Sequence, residues 1–109
     1  GDRLLDGESK LQPIASGIRS KYNIDEVIIH TLHETLLATT RGIALQPTYF
    51  VSQPVISTGA GDNFNAASCF GAVMGLNDED RVDLANTFAH FYVSNGRCAS
   101  LGELLNGQP

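Results

Sequence analysis

The sequence has 109 residues, 42% hydrophobic and 17% charged, which is a globular composition with chain enough for one modest core. Seven basic residues against twelve acidic ones give a formal net charge of -5, which argues against a nucleic-acid binder and its basic stripe. No apolar run approaches the ~18 residues of a membrane span, no charged-then-apolar leader is read, and two cysteines make no disulfide scaffold, so a reducing cytoplasm is the expected setting.

Leu11, Ile14, Ile18 and Tyr22 recur near helical spacing. Pro13 fits only a first turn, so a helix is predicted from about Gln12 to Asn23. Val27, Ile28 and Ile29 form a short continuous apolar run, which suits a strand buried on both faces. Next, Leu36 to Thr40 and Ile43 to Leu45 flank Arg41-Gly42, which reads as a tight hairpin turn. Thr48-Tyr49-Phe50-Val51 is a further strand candidate, bracketed by Pro47 and Pro54.

The second half reads as helical. Asp62 to Met74 carries Phe64, Ala67, Phe70, Ala72 and Val73, with Gly75 as its stop. Asp78 or Asp80 is expected to cap a helix that runs to about Ser94, with Leu84, Phe88 and Phe91 as a core-facing stripe. Asn95-Gly96 ends it, and Ser100-Leu101-Gly102-Glu103 matches a capping box before a short final helix. Helix, strands, then helices around a glycine-rich turn give an α/β class. A β-rich middle would leave sheet edges and an apolar face uncovered in a chain standing alone. The chain opens at Gly1 and its one methionine is Met74, so residues 1–109 are expected to be a single partial domain of something longer.

The chemistry concentrates between Pro54 and Ala67, where a strand end runs through Gly59-Ala60-Gly61 into a helix. Glycines permit backbone that other residues avoid and let another molecule come close. The first amides of a helix lack internal partners and sit at the positive end of its dipole, so this turn suits phosphate or another anion. Asp62 stands at the rim of that site. A carboxylate beside an anion hole needs a reason, and taking the proton of an attacking hydroxyl is a good one.

Gly59-Ala60-Gly61-Asp62-Asn63-Phe64-Asn65-Ala66-Ala67 resembles the C-terminal signature of the ribokinase-like carbohydrate kinases, the PfkB family. Ser57 keeps the hydroxyl of the family's threonine, and Ile56 stands where the family has aspartate. Thr31, Leu32 and Glu34 resemble the strand-end motif T-L-G-E, with His33 and Leu36 in place of glycines. Leu84-Ala85-Asn86 is similar to the family's L-A-N helix, and Val93 to Gly96 resembles its V-T-x-x-G with one residue fewer. The resemblance implies the C-terminal, nucleotide-binding part of a three-layer α/β/α kinase, with the N-terminal sugar-binding part absent.

It further implies transfer of the γ-phosphoryl group of Mg-ATP to a hydroxyl of a small sugar-like acceptor. Asp62 would be the catalytic base, and the amides of Gly59, Ala60, Gly61 and Asp62 the anion hole. Thr31, His33 and Asn86 would line the nucleotide groove. Ser57 and Ser100 mark the region where the family holds a monovalent cation, and Ile56 cannot ligate one. The same likeness leaves room for a homodimer formed through the complete protein. An inactive nucleotide-binding relative, or a piece without activity of its own, are the alternatives.

Other signals are read as structural. His30 and His33, three apart on an extended segment, face opposite sides and share no metal. Asn23-Ile24-Asp25-Glu26 has the letters of the family's magnesium-organising N-x-x-E but abuts the Val27 strand, so it reads as a helix-end turn. His90 is read as a packed or surface side chain, Cys69 as core, and Asp78-Glu79-Asp80 as a solvated helix start. No Walker-type G-x-x-x-x-G-K-[ST] string occurs, and Phe64 occupies the place of a dinucleotide fingerprint's third glycine.

Overall fold

The computed structural model describes residues 9–49, 51–100, 102 and 103. In chain order the elements are α1 (Leu11–Tyr22), β1 (Val27–His30), β2 (Glu34–Thr39), β3 (Gly42–Pro47), α2 (Ala60–Val73) and α3 (Asp78–Asn95). The strands make one antiparallel sheet in the order β1-β2-β3. The α/β class expected from the sequence is what the chain adopts.

Side chains alternate along β2, as strand geometry requires. Leu36 and Ala38 turn towards α1 and pack on Ala15, with Leu11, Val27, Ile29 and Leu45 around them. Leu37 turns the other way, onto Ala44 and Val82 of α3. Thr35 and Thr39 share that second face and reach α3 by hydrogen bonds to Asn86 and Asp78. With a helix on each face, β2 is buried almost throughout. α2 packs along α3 through Phe64, Ala67, Ala85 and Ala89, whose alanines let the helices approach closely. The order of layers is therefore α1, sheet, then α3 with α2.

Several local expectations shift. β1 is half-buried rather than buried, because β2 is its single strand neighbour among the described residues. In α1 the covered residue is Ala15, while Ile14 and Tyr22 of the expected stripe are exposed. The hairpin turn is Thr40-Arg41, not Arg41-Gly42: Thr39 pairs with Gly42, and the Thr39 hydroxyl accepts the Arg41 N–H at 3.0 Å. Gly42 supplies the positive φ, 131°, with which β3 begins.

Thr48, Tyr49 and Val51 are not strand, and Phe50 lies outside the described residues. Thr48 instead folds onto the β1–β2 loop, its N–H donating to His33 O at 3.1 Å and its hydroxyl to Thr31 O at 2.7 Å. α2 starts at Ala60, two residues before the expected Asp62. α3 is capped by Asn77, whose side chain accepts from Asp80 N–H at 2.8 Å, so Asp78, Glu79 and Asp80 fill the first turn where the dipole favours them. In α3 the buried residues are Arg81, Val82, Ala85, Asn86, Ala89 and Phe91, so of the expected stripe Phe91 is core while Leu84 and Phe88 are only partly covered. Cys69 is exposed, not core.

Asn23 ends α1 in the left-handed conformation, φ 53°, and Gly96 ends α3. The Ser100–Glu103 capping box forms in both directions. Apart from Gly102 and Glu103, the helix expected there lies outside the described residues. Among those residues no helix is long and apolar enough to cross a membrane.

Candidate active site

The segment from Val55 to Thr58 is held against the end of α3. The N–H groups of Val55 and Ile56 donate to Val93 O at 2.8 and 3.4 Å, and Tyr92 Oη donates to Thr58 O at 2.7 Å. The chain then turns through Gly59, φ 97°, into the first turn of α2. A Cβ at Gly59 would lie 2.7 Å from Tyr92 Oη, so glycine is required here both by φ and by contact.

The amides at this turn are not equivalent. Ala60 N–H donates to Ser57 O at 3.2 Å, and Asn63 N–H reaches Gly59 O at 3.0 Å. Among the described residues the amides of Gly59, Gly61 and Asp62 make no hydrogen bond at this end of the helix. The free donors of the expected anion hole are therefore these three, with Ala60 already engaged. Asp62 and Gly61 are exposed, and Gly59 and Ala60 half-buried. The Asp62 carboxylate has no ion-pair partner among the described residues.

Beside the turn lies a cleft of about 590 Å³. Ser57, Ala60 and Gly61 form its wall from the glycine turn, Thr31, Leu32 and Thr48 the wall from the sheet side, and Asn86, His90 and Val93 the wall from α3. Asn86 is 2% exposed. Its Oδ1 accepts from the Thr35 hydroxyl at 3.1 Å, while its Nδ2 has no partner. A buried donor without an acceptor is costly, so a ligand atom that accepts from it would be stabilised. Thr31 also lines the cleft, but its hydroxyl is committed to the β1–β2 loop, donating to Glu34 O at 2.8 Å and accepting from the His33 and Glu34 amides. His33 is exposed and does not line the cleft.

Two histidines read as structural prove to line it. His30 stacks on Phe64 with centroids 4.2 Å apart, and its Nε2 is buried without a partner. Burial holds its pKa below the ordinary value, so the imidazole is neutral at pH 7. His90 likewise has an unpartnered Nδ1 and meets Tyr49 edge-on at 6.4 Å. Tyr49 donates to Asp83, which with burial pushes its phenol up to about 12. The spacing of His90, four after Asn86 on one helix face, was the signal that could have found it. Tyr92 had no such signal, because its partner is a backbone carbonyl 34 residues away.

Among the described residues no three His, Cys, Asp or Glu side chains gather to hold a metal. The side chains of the Ser57–Ser100 region bring little to a monovalent cation. Ile56 offers hydrocarbon, and both the N–H and the hydroxyl of Ser100 are engaged with Glu103, at 2.8 and 3.2 Å. In the abutting N-x-x-E lookalike, Asn23 is the α1 cap and Glu26 pairs with Arg81 and Arg41.

The chain is similar to known proteins in sequence family and in fold. The family model described as prokaryotic ketohexokinase matches residues 3–106. The crystal structure of ribokinase from Thermotoga maritima superposes with a TM-score of 0.73 over 90% of this chain, at 22% sequence identity. That likeness is one of fold, and the chain spans 34% of the ribokinase's length. A comparison with curated proteins finds no match.

Proposed function

The chain belongs to the prokaryotic ketohexokinase family, and on that premise we propose that it is the nucleotide-binding part of a kinase that phosphorylates a ketohexose or similar sugar from ATP. The observation that carries this reading is a cleft lined by Ser57, Ala60, Gly61 and the unpartnered Asn86 amide, with the free Gly59 and Asp62 N–H groups and the exposed Asp62 carboxylate on the same turn beside it. The base of ATP would occupy the cleft between Asn86 and the β1–β2 loop. Its γ-phosphoryl would lie at the N-terminus of α2, against the Gly59, Gly61 and Asp62 N–H groups.

Asp62 takes the proton of the acceptor hydroxyl as that oxygen forms its bond to the γ-phosphorus. The bond from phosphorus to the β–γ bridging oxygen breaks, and ADP leaves with the electron pair. Phosphoryl transfer asks mainly for positioning and charge stabilisation, and oriented amides provide both without reorganising. Magnesium travelling with ATP would neutralise phosphate charge.

The test is phosphoryl transfer by the full-length protein carrying these residues, with ATP and a panel of ketohexoses and other sugars. Asp62→Asn is expected to lower kcat by ~10²–10⁴-fold, the usual contribution of a positioned base, and to leave ATP affinity within about twofold. Wild-type turnover by Asp62→Asn would refute the role of Asp62. ATP binding without transfer to any acceptor by the wild type would make the protein a binding module instead.

A further inference from the structure

The turn that presents the three amides is oriented by one side chain from outside it. Tyr92, half-buried on the last turn of α3, donates its hydroxyl proton to Thr58 O at 2.7 Å. Thr58 C=O and Gly59 N–H belong to the same planar trans peptide, so they point in opposite directions. Fixing the carbonyl onto Tyr92 therefore fixes the Gly59 N–H away from it. Gly59, with φ 97° and no side chain, is the joint about which this peptide would otherwise turn.

A second consequence concerns Asp62. In a regular helix the carbonyl four residues back accepts each N–H, and for Asp62 that carbonyl is Thr58. Among the described residues that bond is not made, and Thr58 O is drawn to Tyr92 instead. Of the other ties here, those from the Val55 and Ile56 amides to Val93 O and from Ala60 N–H to Ser57 O are indifferent to side-chain identity, and Asn63 holds the next carbonyl, Gly59 O, through its N–H at 3.0 Å and its Nδ2 at 2.9 Å. Tyr92 is thus the one side chain among the described residues hydrogen-bonded to the Thr58–Gly59 peptide itself.

We propose that Tyr92 is a positioning residue for phosphoryl transfer: its hydroxyl holds the Thr58–Gly59 peptide so that the Gly59 and Asp62 amides stay free and aimed at the transferred group. The assignment rests on the kinase reading above. Without the hydroxyl, the peptide can rotate about Gly59, and Thr58 O can swing to accept Asp62 N–H and close the site. The contact between a Gly59 Cβ and Tyr92 Oη has the same meaning from the other side, since a side chain there would displace the hydroxyl.

The experiment compares wild type and Tyr92→Phe in the full-length protein, with active sites counted by ADP binding. The ring is kept, so Tm is expected within a few degrees and ADP affinity within about twofold. Turnover per ADP-binding site is expected to fall at least about tenfold, since ~1 Å of misplacement can cost ~10²-fold. The backbone amide resonances of Gly59 and Asp62 should move, those of β2 should not, and a merely structural role would not confine the change to this turn. Equal turnover per site with both resonances unmoved would overturn the assignment while leaving the kinase reading intact. A wild type that transfers no phosphoryl group would overturn the kinase reading, and this assignment with it.

Discussion

The ring of Phe64 is 1% exposed and lies nearly parallel to the imidazole of His30, with 13° between the planes. One face of the stack belongs to the α2–α3 core, and the His30 edge belongs to the cleft. Burial disfavours the charged imidazole, so the folded-state pKa is below the unfolded one. Between the depressed value and the unfolded ~6.5, the unfolded chain binds more protons. Stability therefore rises with pH across that window, and it is lost as pH falls below ~6.5. Denaturant unfolding at pH 7.5 and 5.5 (on the order of one unit either side of the unfolded value) should show the wild type weaker in acid, and His30→Leu should shrink the difference. An undiminished difference in His30→Leu would assign the effect to other groups. At this scale the exposed place of Asp62 in the first turn of α2 was legible, because a carboxylate just after Gly59-Ala60-Gly61 falls where a helix starts and its dipole favours an acid. Cys69 was misread as core, since its small neighbours did not reveal that it lies on the α2 face away from Phe64 and Ala67.

Elements are tied together below the cleft by a charged network. Arg81, almost fully buried, donates to Ser68 O at 2.9 Å, to Ser68 Oγ at 3.1 Å and to Glu26 Oε1 at 2.9 Å. It thereby joins α2, α3 and the entrance to β1. Arg41 of the hairpin turn reaches Glu26 and Asp78, and Asp78 also accepts from the Thr39 hydroxyl. Arg41 and Thr39 hold the Asp78 carboxyl below its ordinary pKa, so this tie persists at neutral pH and weakens only in strong acid. Glu26→Ala leaves the Arg81 guanidinium buried with Ser68 as its remaining acceptor. A loss of about 2 kcal/mol is expected, below the ~3–5 kcal/mol of a wholly buried pair because Glu26 is partly solvated. Urea denaturation of the two proteins measures it, and a loss under ~0.5 kcal/mol, within the range of ordinary surface substitutions, would show the network to be dispensable. The helices were legible from apolar period and end signals. The hairpin was misplaced by one residue because the turn uses Thr40-Arg41 and places its glycine one step later. The Thr48 strand failed because Pro47 ends the ladder and the Thr48 hydroxyl has a better partner in Thr31 O.

Across the whole molecule, three layers bring together segments that are far apart in sequence. The β1–β2 loop, the Ser57–Gly61 turn and the α3 face carrying Asn86 and His90 converge on one cleft. At the far end of α2, Phe70, Val73, Met74 and Leu76 stand exposed, and Val73 reaches 85%. The open surface and the single-neighbour β1 agree with a chain that covers 34% of the ribokinase it resembles in fold. The glycine turn into α2 was legible in sequence because glycine spacing and helix ends obey local rules. The cleft was less so, because its walls are set by tertiary packing that no local rule encodes.

The central claim is that free amides at the start of α2 receive the phosphates while Asn86 receives the base. Titration of the 15N-labelled full-length protein with a non-hydrolysable ATP analogue tests it directly, read at the Gly59, Gly61 and Asp62 backbone amides and the Asn86 side-chain amide. The account predicts saturable shifts at all four with one common affinity, and none at Leu36 and Ala38, whose side chains pack on α1 across the sheet from the cleft. Saturation that leaves the three turn amides unmoved, or binding that moves a different surface, would contradict it.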